Sequence, residues 1–260
     1  MFVNLANLEA LNVAHTGAHQ EDLKQLGQLT RLTSLSLEGV AMDSATLGAF
    51  AGLRLRHVAL PERSLFGAAH LSVVASFPLT KLSLASYRSL PAAAFKGLAA
   101  LAPTLEQLDL SNTHVDDAAL DVLAASLARL HELELARTGI SNEGVASLGN
   151  LKALRTLDLS RTQVTSVGLT VLASCGQLRS VNLMYTRTST RGAMALLPCR
   201  HLQRLNLRGT FVHAGRVRDG LRRECRGRGR GKRRGKRQGE ELGTEAEGPG
   251  RKRHAGQRAV

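Results

Sequence analysis

The chain has no tryptophan, and only 3% of its 260 residues are aromatic. A compact core of that length usually draws on bulky rings, so the 43% of apolar residues must pack in another way. Leucine dominates them, which suits a core built from one slot used many times. No apolar run approaches the ~18 residues of a membrane-crossing helix. Met1-Phe-Val-Asn-Leu5 also lacks the basic start and apolar stretch of a secretory leader. Three cysteines, an odd number, do not make a disulfide framework and fit a reducing compartment. An intracellular protein, cytoplasmic or nuclear and without a membrane partner, is expected.

The net charge of +14 is unevenly distributed. Residues 214–260 hold 16 Lys and Arg against 6 Asp and Glu, and residues 1–213 hold the other 19 and 15. Most of the basicity belongs to the C-terminal segment.

A period of about 24 residues runs through the rest of the chain. The pattern Leu-x-x-Leu/Val-x-Leu/Val begins at residues 8, 32, 55, 79, 105, 130, 154, 178 and 202. Its second and third apolar residues alternate with polar ones, as in Leu108-Asp109-Leu110 and Leu157-Asp158-Leu159, and a period of two denotes a short strand with one buried face. Eight positions after the first Leu stands Thr16, Thr113, Thr138, Thr162, Thr186 or Thr210, whose hydroxyl can bond the backbone where the strand turns away. Apolar residues then recur at helical spacing, for example Leu120, Leu123 and Leu127. One unit cannot cover its own apolar stripe, but stacked units can.

These residues resemble the leucine-rich repeat family in the variant LxxLxLxxTxVTxxGLxxL. The stretch Leu154-Arg-Thr-Leu-Asp-Leu-Ser-Arg-Thr-Gln-Val-Thr-Ser-Val-Gly-Leu-Thr-Val-Leu172 follows it almost throughout. The resemblance implies an α/β leucine-rich-repeat solenoid over residues 1–213, curved, with parallel strands on the concave face and helices on the convex face. Residues 214–260 are then a disordered basic tail. Departures cluster in the third and fourth copies, where Pro61 and Arg63 occupy the turn, His70 stands for Leu and Tyr87 for Thr. Irregular turns and a local change of curvature are expected there. No polar capping unit is visible at either end, as in a fragment of a longer protein.

A search for chemistry finds little. The nine histidines occupy different repeat positions, and His15 and His19 straddle a strand exit, where helical spacing does not apply. Cys175 and Cys199 lie 24 apart in equivalent places, and should fill core volume as neighbouring thiols. Gly231-Lys232 is followed by Arg233 where a phosphate loop needs Ser or Thr. No enzyme, cofactor or metal site is expected.

The outward strand positions are more informative. Asp109, Glu134 and Asp158 stand at the same repeat position, with Asn182 and Asn206 continuing the row, so the three carboxylates should be neighbours and repel unless compensated. Glu132 adds to the acidic zone, while Arg137, Arg161, Tyr185 and Arg208 flank it near the strand exits. This face is a candidate site for a basic or mixed-charge protein segment, and otherwise a solvated surface balanced by its arginines. The tail folding back onto the row is a third possibility.

In the tail, Arg222–Arg237 holds ten basic residues in sixteen positions, Lys232, Arg233, Arg234, Lys236 and Arg237 among them, and Arg251, Lys252 and Arg253 form a second cluster. Such a segment suits nuclear localisation or weak contact with RNA or another polyanion, though it has no aromatic residue for base stacking. The expected function is a non-catalytic, monomeric protein-interaction scaffold. The repeats are similar to those of ribonuclease-inhibitor-like solenoids and of F-box ubiquitin-ligase adaptors, and the second similarity implies a role in selecting substrates. The alternative is a nucleic-acid-associated protein docking through its tail.

Overall fold

The structure is a computed structural model that describes residues 5–61 and 63–213. Each leucine pattern supplies one short strand: Ala10–Asn12 (β1), Ser34–Ser36 (β2), His57–Ala59 (β3), Lys81–Ser83 (β4), Gln107–Asp109 (β5), Glu132–Glu134 (β6), Thr156–Asp158 (β7), Ser180–Asn182 (β8) and Arg204–Asn206 (β9). All nine lie parallel in chain order in one open sheet. Short helices, from Gln20–Lys24 to Thr190–Met194, return the chain to the start of the next strand.

Alternation explains which side is core. The middle residue of each strand points inward, and Leu35, Leu82, Leu108, Leu133, Leu157 and Val181 are each 1% exposed. The leucines that open interior copies are as deeply buried, and helix residues such as Leu120, Leu123, Leu148 and Leu169 close the other side of the same cluster. Burying each such side chain contributes about 2 kcal/mol. Among the described residues the outermost copies have a neighbouring copy on one side only, and Leu8, Leu11, Leu202 and Leu205 are partly buried.

Where the strands end, the backbone departs in the same way each time. The residue seven positions after the first Leu adopts a left-handed conformation in the eight copies where that residue is described: His15, Gly39, Ser86, Asn112, Arg137, Arg161, Tyr185 and Gly209. A side chain there costs roughly 1–2 kcal/mol relative to glycine. The return is a continued ladder, since the N–H of Arg137 donates to Ser160 O at 2.9 Å and that of Arg161 to Met184 O at 2.9 Å. The threonine one residue later turns its hydroxyl onto the carbonyl three residues back, from Thr16 to Val13 at 2.7 Å through Thr162 to Leu159 at 2.6 Å and Thr210 to Leu207 at 2.6 Å.

The expected irregularity falls at the third and fourth copies. Strands β3 and β4 pair through His57 and Lys81 alone, whereas the neighbouring β4–β5 pair has three matched residues. Tyr87, in the threonine position, sends its hydroxyl across to Pro61 O at 2.8 Å and packs edge-on against Phe66 with ring centroids 4.8 Å apart. His70 takes the place of a leucine by bonding both ways, with Nδ1 accepting from Gly67 N at 3.2 Å and Nε2 lying 3.1 Å from Met42 O. Cys175 and Cys199 are buried free thiols whose Sγ atoms donate to Leu148 O and Leu172 O, the same bond one repeat apart.

Thr162→Val keeps the volume but strips a buried carbonyl of its donor, and should lower stability by about 1–2 kcal/mol in denaturant titration. The same change at half-buried Thr210 should cost clearly less. Tyr87→Phe should also cost about 1–2 kcal/mol, because Pro61 O then loses its partner.

Candidate protein-interaction face

The strand face carries two rows of outward residues set by the parallel register. The first runs from Ala10 through Ser34, His57, Lys81, Gln107, Glu132, Thr156 and Ser180 to Arg204. In the second, Ser83, Asp109, Glu134, Asp158, Asn182 and Asn206 follow one another on successive strands. The three carboxylates of the second row are therefore neighbours, and each is half-buried.

Two of the three are bonded into the fold. Asp109 Oδ1 accepts from Ser111 N at 2.9 Å and Oδ2 from the Ser83 hydroxyl at 2.9 Å. Asp158 Oδ1 accepts from Ser160 N at 2.7 Å and Oδ2 from the Asn182 amide at 2.8 Å. The same bond, from a short side chain to the N–H two residues on, recurs at Asn12, Asn182 and Asn206. The row is thus a series of Asx turns that bend the chain out of the sheet. Glu134 is one methylene too long for this role and stands between two occupied carboxylates.

The arginines do not neutralise the row. Among the described residues, no ion pair joins Arg137, Arg161 or Arg208 to Asp109, Glu132, Glu134 or Asp158. Arg137 and Arg161 sit at the left-handed exit positions and Arg208 one position earlier in its copy, all exposed. Arg161 lies instead over the Tyr185 ring, 4.3 Å from its centroid. Compensation by bordering arginines is therefore replaced by hydrogen bonds from Ser83 and Asn182. Sequence reading placed Asn182 in this row but did not foresee that it and Ser83 donate to the carboxylates, and the spacing of a short polar side chain two before the turn was the available signal for the turns.

The floor of the face changes along its length. Across β1–β4 small side chains such as Ala10, Ser34, Ser36 and Ala59 leave a depression of about 580 Å³. A smaller recess of about 160 Å³ adjoins it, walled by Lys81, Asp109, Glu132 and Glu134. Among the described residues no group of three or more His, Cys, Asp and Glu could hold a metal ion, and no helix is long and apolar enough to cross a membrane. Lys232, Arg233, Arg234, Lys236, Arg237, Arg251, Lys252 and Arg253 lie outside the described residues.

A family model described as Leucine Rich repeat matches residues 97–124, 129–149 and 151–173. The array is a leucine-rich-repeat solenoid. An internalin (inlF) from Listeria monocytogenes superposes over 85% of this chain with a TM-score of 0.59 at 19% identity, and TLR13, in a TLR13–ssRNA13 complex, over 79% with 0.59 at 20% identity. The alignments span 60% of the internalin chain and 30% of the TLR13 chain, so the likeness is one of fold. Comparison with curated protein sequences gives no significant match.

Within this leucine-rich-repeat face, Glu134 carries the electrostatic tension. Partial burial, and then the charges of Asp109, Glu132 and Asp158, push its carboxyl above the usual carboxylate range, with Lys81 pulling weakly the other way. The folded state therefore holds the Glu134 proton to higher pH than the unfolded chain does, and stability falls as pH rises through that window. Glu134→Gln should stabilise the protein at pH 7 by a few tenths of a kcal/mol, the scale of a screened surface charge. The gain should vanish below pH 4 and shrink in high salt, as read from melting curves of both proteins across pH.

Proposed function

We propose that the chain is a non-catalytic protein-binding scaffold whose strand face receives an extended basic or mixed-charge segment of another protein. The supporting observation is the open nine-strand face, with Asp109, Glu132, Glu134 and Asp158 gathered in register at its centre. The Asx turns support the reading because they hold that surface in shape before any partner arrives, which lowers the entropy lost on binding. The depression beside the carboxylates has room for the aliphatic stem of a lysine or arginine. Similarity to the arrays of F-box adaptors supports a use in selecting substrates for ubiquitin ligases.

Glu132 and Glu134 provide a clean test, because unlike Asp109 and Asp158 they hold no turn. Proteins captured by the full chain should be lost from the Glu132→Gln, Glu134→Gln double variant, while its folding stays intact by circular dichroism. Ubiquitin-ligase subunits among those retained by both would support the adaptor role. Identical capture by the variant would place the binding surface elsewhere.

A second reading is nucleic-acid docking through the tail. The run of ten basic residues in Arg222–Arg237 favours it, as does the complex in which the TLR13 neighbour was crystallised.

A further inference from the structure

Charge in the repeats is segregated along the solenoid axis. Residues 105–150 carry eight Asp and Glu against two Lys and Arg, whereas residues 151–213 carry nine Lys and Arg against a single Asp. That one acid, Asp158, is already engaged with Ser160 and Asn182. The last three copies are thus strongly basic in their own right, before the tail begins.

The parallel register gathers these charges. Arg155 and Arg179 precede β7 and β8 at equivalent positions, and the backbone ladder places them side by side, with Arg179 N donating to Arg155 O at 2.8 Å. Arg204 follows on the strand face of β9, next to uncharged Ser180, and Arg208 lies at the far end of the same strand's copy. All four are exposed, and among the described residues none is in an ion pair. Adjacent strands are about 4.8 Å apart, so the like charges of Arg155 and Arg179 are held on neighbouring copies.

Rings accompany the cations. Phe50, Phe66, Phe77, Phe95 and Tyr87 are buried, while Tyr185 is 44% exposed and Phe211 72% exposed, both in the last two copies. Tyr185 rests against Gly209, where a Cβ would strike its ring, and the Arg161 guanidinium lies over it, 4.3 Å from the ring centroid. Phe211 leaves its ring free at the same strand-exit edge.

We infer that repeats seven to nine form a binding surface for single-stranded nucleic acid. The arginines on and beside β7–β9 hold phosphates, and Phe211 and the Arg161 guanidinium over Tyr185 stack bases. Eight of the nine cations are arginine, whose planar fork matches phosphate geometry and stacks on rings better than lysine does. Exposed rings favour unpaired bases over an acidic peptide, which would use the charges alone. The inference does not depend on the strand-face partner proposed above, because it uses different side chains and the opposite charge.

Fluorescence anisotropy of the full chain with 16-nucleotide oligouridine and oligothymidine tests it. Replacing Arg155, Arg179, Arg204 and Arg208 by Gln should weaken binding at least tenfold at low salt. It should also flatten the slope of log affinity against log salt by about 3, from four phosphate contacts at ~0.7 each. Phe211→Leu should weaken binding about tenfold without changing the slope. Preferential binding of the RNA would point to hydroxyl recognition, and equal binding of both to the shared backbone; either result supports the surface. With the ten basic residues of Arg222–Arg237 changed to Gln, binding should persist and stay sensitive to both solenoid variants. Loss of all binding in that tail variant overturns the inference. So does a 16-residue polyglutamate that binds as tightly as the oligonucleotides and ignores Phe211→Leu, because it marks an acidic protein surface. Glu132→Gln with Glu134→Gln should leave oligonucleotide binding undiminished, which separates this surface from the scaffold reading.

Discussion

No copy of the 24-residue unit can bury its own leucines. The strand leucines and helix leucines of one copy leave apolar sides toward both neighbours, and the interior copies reach full burial only because another copy lies on each side. Everything else follows from that stacking. It sets a parallel sheet, forces successive strands into register and lines up equivalent outward positions as continuous rows. The half-buried leucines of the outermost copies show the same rule from its edge.

Stacking alone would leave the backbone unsatisfied wherever strands end. Three devices meet that need: a left-handed residue at the exit, a threonine hydroxyl on the preceding carbonyl in six copies, and an Asx turn from the second outward row at Asn12, Asp109, Asp158, Asn182 and Asn206. Where they recur, the backbone groups of the exit edge are bonded much as those of the sheet are. Where Tyr87 and Pro61 interrupt them, pairing between β3 and β4 shrinks to a single residue pair and a depression opens beside it.

Order at the exits also governs the charges. Carboxylates at positions 109 and 158 are held by turn bonds, so their burial is offset, while Glu134 between them has no such bond and its proton is held more tightly. The arginines that could have neutralised the row are directed to other places: Arg161 to the Tyr185 ring, Arg155 and Arg179 to a strip of their own. The result is an acidic centre beside a basic end on one face.

Much of this was legible in the chain. The spacing of Leu105, Leu130 and Leu154 determines the strand count and register, because side-chain alternation permits only one phase that buries every leucine. The adjacency of Asp109, Glu134 and Asp158 follows from the same register, and the threonine positions announce their bonds. What the chain could not display was the choice each polar side chain makes among near-equal partners. Whether Arg161 pairs with a carboxylate or lies on Tyr185, whether Ser83 and Asn182 quiet the acidic row, and how Tyr87 reaches Pro61 are decided by distances of a few ångströms between copies 23 to 26 residues apart. Hydrophobic burial is tied to area and is written in composition and period, but hydrogen bonds and charge pairs are directional and short-ranged, so only the stacked structure decides them.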